Sequence, residues 1–171
     1  QDDISLPAPQ LPINISRTYN SKSTEITSMG YGWRQAYDMY VSEVGDKIYY
    51  VDDSNALYTF EKKDDKYICK ENIDLSLEID DDILSRKIEK DGKVIKELEL
   101  DVYYKIMDKD ENIYRFDEFG RLILIEESNG TFVNIEYNNK NGRIDSVNTS
   151  KGQVVKYSYN DNGLISKIVA A

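Results

Sequence analysis

The sequence predicts an all-β protein, a curved antiparallel sheet of consecutive β-hairpins, and three observations carry that prediction. The first is composition. Fourteen Tyr stand against 4 Phe and 1 Trp in 171 residues, alongside abundant Ile and Val, and aromatic and β-branched side chains fit a pleated, half-buried surface. The second is alternation: Leu98, Leu100, Val102, Tyr104 and Ile106 are separated by Glu99, Asp101, Tyr103 and Lys105. A strand with one wet face requires that period, whereas a helix would scatter the same residues round its circumference. The third is recurrence. Gly120-Arg121-Leu122 returns as Gly142-Arg143-Ile144 and as Gly163-Leu164-Ile165, at spacings of 22 and 21 residues, and periods of about twenty residues mark repetitive architectures.

Along the chain, residues 1–110 read as a β-rich opening segment and 111–171 as about three repeats of 21–22 residues, with one continuous sheet expected across both. Within the opening segment, Ile79–Lys90 (IDDDILSRKIEK) is open to two readings. It starts a short helix at an Asp cap, or it is a strand leading into an Asp91-Gly92 turn; the strand is favoured.

In the repeats, Phe116-Asp117 becomes Tyr137-Asn138 and then Tyr159-Asn160, and Gly130 recurs as Gly152. Asp117, Asn138 and Asn160 suit the start of a turn because their side chains bond the backbone two residues on. Gly120, Gly142 and Gly163 supply the positive φ that closes it. Leu122, Ile144 and Ile165 lie two residues after each glycine and Ile125, Val147 and Ile168 five after it, an odd separation that strict alternation places on opposite faces. A bulge or bend between them would turn both sets toward one core and twist the sheet. The return strands, Val133-Ile135-Tyr137 and Val155-Tyr157-Tyr159, alternate without interruption.

Charge and rare residues narrow the function. The balance of 32 acidic against 22 basic residues gives a formal net charge of -10, which disfavours binding to nucleic acid or to an anionic membrane. Histidine is absent, removing the commonest general base and metal ligand. Cys69 is alone, so neither an intrachain disulfide nor a cysteine zinc site can form. No apolar run is long enough to span a bilayer, and the polar start QDDISLPAPQ is not a signal peptide. The expectation is a non-catalytic protein with no cofactor and no metal, no membrane insertion, and any secretion signal upstream.

The three units of aromatic-Asp/Asn, Gly-Arg-Leu and Asn-Gly resemble the YD repeats of Rhs proteins, which also occur in the barrel of teneurins and in insecticidal toxin complexes. The opening agrees: LPINISRTYNS, with Arg17, Tyr19 and Asn20, followed by GYGWRQAYD, with Gly32, Trp33 and Tyr37, is similar to the segment that begins the Rhs core. The resemblance runs from about Leu6 to Ile168 and is only general over Glu61–Lys96. It implies a β-sheet shell that spirals round a hollow, encapsulates a C-terminal polymorphic toxin and, in some members, frees it by self-cleavage near the shell's end. Cargo and cleavage motif are expected beyond residue 171, in a secreted or cell-wall-associated parent. Two of the units carry Asn where the family name has Asp, and Leu164 replaces the Arg of the third. Asn starts the same turn, but a function needing a repeated carboxylate would fail here.

Other constellations read as structure before chemistry. Asp108, Asp110 and Asn112 imitate the first calcium ligands of an EF-hand, but Ile113 and Phe119 stand where its Gly and bidentate Glu belong, so a hairpin turn is expected. Asp80-Asp81-Asp82 reads as a solvated turn. Glu126-Glu127 would serve a glycosidase only if paired with another carboxylate about 5–10 Å away. Tyr31, Trp33, Tyr37 and Tyr40 fall within ten residues and make a glycan-binding surface the main alternative function, although Trp33 and Tyr37 fit a packed strand corner better. Tyr103, pointing opposite Tyr104, is the better exposed candidate, and Tyr31 and Tyr40 are the other candidate glycan contacts. Arg17, Arg34 and Arg121 are expected to pair with carboxylates or stack on rings. A ribbon of hairpins also leaves an open edge strand through which copies can associate.

Overall fold

A computed structural model of the protein describes residues 2–6, 13–19, 26–27, 29–31, 33–72 and 74–171, with side chains at Met29 and from Gln35 onward. The chain begins with β1 (Asp2–Leu6), β2 (Ile13–Tyr19), β3 (Ile26–Thr27), β4 (Gly30–Tyr31) and β5 (Trp33–Gln35). Strands β1, β2 and β5 form a three-stranded antiparallel sheet, while β3 and β4 pair as a ribbon. A single 3-10 turn, Ala36–Asp38, follows β5, closed where Asp38 Oδ2 accepts from the Gln35 N–H.

Twelve further strands form one sheet in sequence order. They are β6 (Tyr40–Val44), β7 (Lys47–Val51), β8 (Leu57–Lys63), β9 (Lys66–Cys69), β10 (Ser76–Lys90) and β11 (Lys93–Met107), then β12 (Ile113–Phe116), β13 (Leu122–Glu126), β14 (Phe132–Tyr137), β15 (Ile144–Thr149), β16 (Val154–Tyr159) and β17 (Ile165–Ala170). Every neighbouring pair is antiparallel, so the predicted all-β ribbon of hairpins is the fold. The 79–90 segment is strand, and β10 enters β11 through the two-residue Asp91-Gly92 turn with φ of 53° and 73°. Two positive φ angles give a hairpin turn whose twist matches that of its strands.

The bulge expected in each repeat is present at the same place. Pairing slips between Phe116↔Leu122 and Arg115↔Leu124, between Tyr137↔Ile144 and Glu136↔Ser146, and between Tyr159↔Ile165 and Ser158↔Lys167. Ile123, Asp145 and Ser166 are the extra residues. Each lies directly after the first apolar residue of its unit, which is why Leu122 and Ile125, Ile144 and Val147, and Ile165 and Ile168 all join one core.

That core lies inside a curl. Tyr50 of β7 meets Phe116 of β12 edge to face, with ring centroids 5.8 Å apart, although four strands separate β7 from β12 in the sheet. At the sheet's edge, the Val41 N–H of β6 donates to the Gly120 carbonyl at 2.9 Å, in the turn between β12 and β13. The sheet thus rolls until its first strand touches the first repeat without closing a barrel. Phe60, Ile106, Phe116 and Leu122 are fully buried within it, each contributing roughly 1.5–3 kcal/mol by leaving water.

The opposite face has its own cover. Strands β10 and β11 are each 15 residues long, and their register breaks between Ile79↔Tyr104 and Asp82↔Val102. Past that break they form an arm that folds over the repeats, burying Ile88 and Leu98 against Leu124 and Phe132. A backbone bond from Glu89 N–H to Ser150 O ties the arm to the repeats. Asp80-Asp81-Asp82 therefore departs from expectation: it is no turn but the strand segment at the bend. Two residues of β10, Asp80 and Asp81, set against one of β11, Tyr103, let the long hairpin change direction without ending.

Candidate functional site

The conserved geometry from unit to unit is a latch. In the first turn, Asp117 Oδ1 accepts from the Phe119 and Arg121 N–H groups at 3.0 and 2.9 Å, and the Gly120 N–H donates to the Asp117 carbonyl. Asn160 repeats this with the Asn162 and Leu164 N–H groups, both at 3.0 Å. Asn138 accepts from Lys140, and because this turn is one residue longer, Asn141 rather than Asn138 receives the Arg143 N–H. For starting the turn Asn and Asp are interchangeable, because one side-chain oxygen suffices.

The arginines reach forward. Arg121 Nε donates to Asp117 Oδ2 at 2.8 Å while its guanidinium lies 4.6 Å from the centre of the Tyr137 ring in the next unit. Arg143 lies 5.5 Å from the Tyr159 ring. The tyrosines reach back: Tyr137 Oη donates to the Leu122 carbonyl at 2.7 Å and Tyr159 Oη to the Ile144 carbonyl at 2.6 Å. The first and second units are thus each completed by the one after. Burial pushes the Tyr137 phenol far above its ordinary value and the Tyr159 phenol to about 12, in each case with Asp38 adding to the shift.

Two arginines that sequence reading passed over converge on one carboxylate. Arg86 of the arm donates through Nε and Nη2 to Glu126 at 2.7 and 2.9 Å, and Arg115 Nη1 donates to the same carboxylate at 2.9 Å. Burial pushes the Glu126 carboxyl up, but the bonds from Arg86 and Arg115 outweigh it and hold the group below its ordinary range. Glu126 is consequently a clamp between arm and sheet, and Glu127 caps its own turn through Thr131. The signal available in sequence was the pair Ile123-Leu124. These outward positions are apolar in the first unit and become Asp145-Ser146 and Ser166-Lys167 in the later ones, as a face covered only at one end requires.

The opening motif is partly placed. In backbone register Arg17 faces Gln35 and Tyr19 faces Trp33, and β5 runs directly into the 3-10 turn. Asn20 and Gly32 lie outside the described residues, as do the side chains of Arg17, Tyr19, Tyr31, Trp33 and Arg34 and with them the expected burial of Trp33. Tyr37 is buried. Gln35, 1% exposed, accepts from Tyr157 Oη at 2.9 Å, joining β5 to the repeats. Tyr40 is half-buried on β6, where it bridges to Arg121. Tyr103 corrects the expectation of exposure: it is half-buried and packs edge to face on Tyr104, with centroids 4.7 Å apart. The register break in the arm turns it off the wet face.

Carboxylates gather in a recess of about 310 Å³ lined by Asp52, Asp53, Asp74 and Asp108 with Tyr50, Tyr58 and Tyr114. Burial, then the charge of Asp52, pushes Asp53 up. The recess is nonetheless built from turn caps: Asp52 Oδ1 accepts from Ser54 and Ala56 N–H, and Asp108 Oδ1 from Asp110 and Asn112 N–H. Asp108–Asn112 is thus a hairpin turn. Among the described residues no group of three or more acidic or thiol side chains is placed to hold a metal, and no helix is long and apolar enough to cross a membrane.

Residues 1–60 match a family described as a domain of unknown function, DUF6531. That match covers the three-stranded sheet and the strands through most of β8, and stops before the arm and the repeats. No curated protein matches the chain.

Proposed function

We propose that this chain is the opening, non-catalytic part of a Rhs/YD-repeat shell that encapsulates and delivers a C-terminal toxin from a secreted or wall-associated parent. The observation that carries this reading is the forward latch, in which the Arg and the backbone carbonyl of one unit engage the Tyr of the next. A wall built this way lengthens one hairpin at a time, and each addition completes the unit before it. Domains of the description matched at residues 1–60 often occur in Rhs-type proteins, in accord with the resemblance of the opening motif. Glycan binding finds less support: every tyrosine whose side chain is described is buried or half-buried, whereas sugar stacking needs a row of open rings. At the far edge β17 pairs with β16 alone, leaving a strand that can accept a further hairpin or a second copy.

Limited proteolysis of the full parent polypeptide tests the reading. The region after the repeats should resist cleavage in the wild type and become sensitive when Gly120→Val breaks the first turn. Equal sensitivity in both would sink it, and retention of the chain on purified cell-wall glycan would favour the alternative.

A further inference from the structure

The bend in the arm opens a groove of about 590 Å³ between it and the turn that starts the first repeat. Phe119 is 74% exposed and Ile83 65%, the two most exposed large apolar side chains among the described residues, and both line this groove. Leu100 and Tyr103 extend its apolar wall. The repeat itself marks Phe119 as unusual. The residue before the turn glycine is Asn141 in the second unit and Asn162 in the third, both suited to a turn, whereas the Phe119 side chain supplies no hydrogen bond to the turn and, although the Arg121 guanidinium lies 5.4 Å from its ring centre, leaves most of that ring in water. Exposed apolar residues gathered at one concavity mark an interaction surface.

Charge defines the partner. Asp81, Asp82, Glu99, Asp101 and Glu118 line the same groove and are exposed. Among the described residues the only cation in the lining, Arg121, is already bonded to Asp117. We infer that the groove docks a partner's polypeptide segment in which Lys or Arg flanks an aromatic or large aliphatic anchor. The anchor would seat between Phe119 and Ile83, and its flanking cations would meet the carboxylate rim, which steers approach and disfavours acidic competitors. A second copy of this chain is a poor occupant, since its net charge of -10 opposes self-docking at an acidic rim.

Fluorescence anisotropy with a labelled peptide alternating Lys and Leu about a central Trp tests this. Binding should weaken about fivefold or more in Phe119→Asn and in Ile83→Thr. It should weaken as much in the double variant Asp81→Asn/Asp101→Asn, and not in Asp64→Asn/Asp65→Asn, which removes two charges from the β8–β9 turn, outside the groove lining. Both apolar sites are exposed, so folded variants are expected, with circular dichroism and the thermal midpoint as the check. No binding to the wild type, equal loss in the two charge variants, or no effect of Phe119→Asn would overturn the inference. So would a dimer, seen by light scattering, that Phe119→Asn abolishes.

Discussion

The first and third repeats share a signature and differ in fate. Strand β13, Leu122-Ile-Leu-Ile-Glu, has four of its five residues buried, whereas no residue of β17, Ile165-Ser-Lys-Ile-Val-Ala, is buried. Both have the Asp/Asn-initiated turn, the positive-φ glycine and the bulge. The short-range code therefore fixes turn and phase, while burial depends on what arrives from elsewhere: β6 against the first turn, and the arm across the outer face. Where the two contributions coincide, a substitution should cost most.

Glycine separates them first. A Cβ at Gly120 would lie 1.8 Å from the Val41 carbonyl oxygen, and at Gly163 its nearest neighbours are atoms of the Arg143 guanidinium. Backbone cannot yield as a side-chain end can, so Gly120→Ala should cost about 3 kcal/mol or more and Gly163→Ala about 1 kcal/mol, since φ is positive at both. Equal losses in chemical denaturation would mean that β6 does not press on the first repeat.

Removing the Glu126 carboxylate comes next. Glu126→Ala strands the buried Arg115 and should cost about 3 kcal/mol. Val169→Ala, six residues after its glycine as Glu126 is, should change stability by no more than about 0.5 kcal/mol. Because the folded Glu126 is held below its ordinary value, its contribution is full above the unfolded value of about 4.3 and vanishes as pH falls through the folded one. The urea midpoint should thus fall less steeply with acid in Glu126→Gln than in the wild type.

Alkali sharpens the contrast from the other side. The Tyr159 phenol is raised to about 12, so the stability it gives is complete below the unfolded tyrosine value of about 10 and is lost as pH climbs from there through the folded value. Tyrosinate absorbance should lag free tyrosine and rise with unfolding, and Tyr159→Phe should shift that unfolding to higher pH. The latch hydroxyl is a smaller term at neutral pH: Tyr137→Phe loses the bond to the Leu122 carbonyl and should cost about 1 kcal/mol in a thermal melt. Leu164→Arg restores the signature of the third unit, whose Asn160-initiated turn already closes without an arginine, so a shift within about 0.5 kcal/mol is expected. A larger gain would show that this arginine stabilises its own turn rather than the next unit.

Much of this was legible in sequence because it is local. The turns follow from Asp117, Asn138 and Asn160, and the bulge follows from the odd spacing between Leu122 and Ile125. The arm was not legible in the same way. Alternation at Leu98–Ile106 identifies a strand, but nothing within that strand says that Leu98 packs on Leu124 while Tyr104 faces the curl; the break opposite Tyr103 makes the difference, and its sequence mark, three aspartates, also suits a turn. Gln35 with Tyr157 and Arg86 with Glu126 lie 122 and 40 residues apart, and no periodicity links such pairs.

The arm also imposes an order in time. On the ribosome it emerges before the strands it covers, and Leu98 must wait for Phe132 to complete its pocket. At common synthesis rates that interval is roughly 2–7 s, long compared with the microseconds in which a hairpin forms. Until then Ile88 and Leu98 stay uncovered on a hairpin that is only marginally stable alone in water, a surface for chaperones to occupy until the repeats follow. Chaperone crosslinking to chains stalled before and after Phe132 would reveal that interval, and equal crosslinking at both lengths would show that docking does not end it.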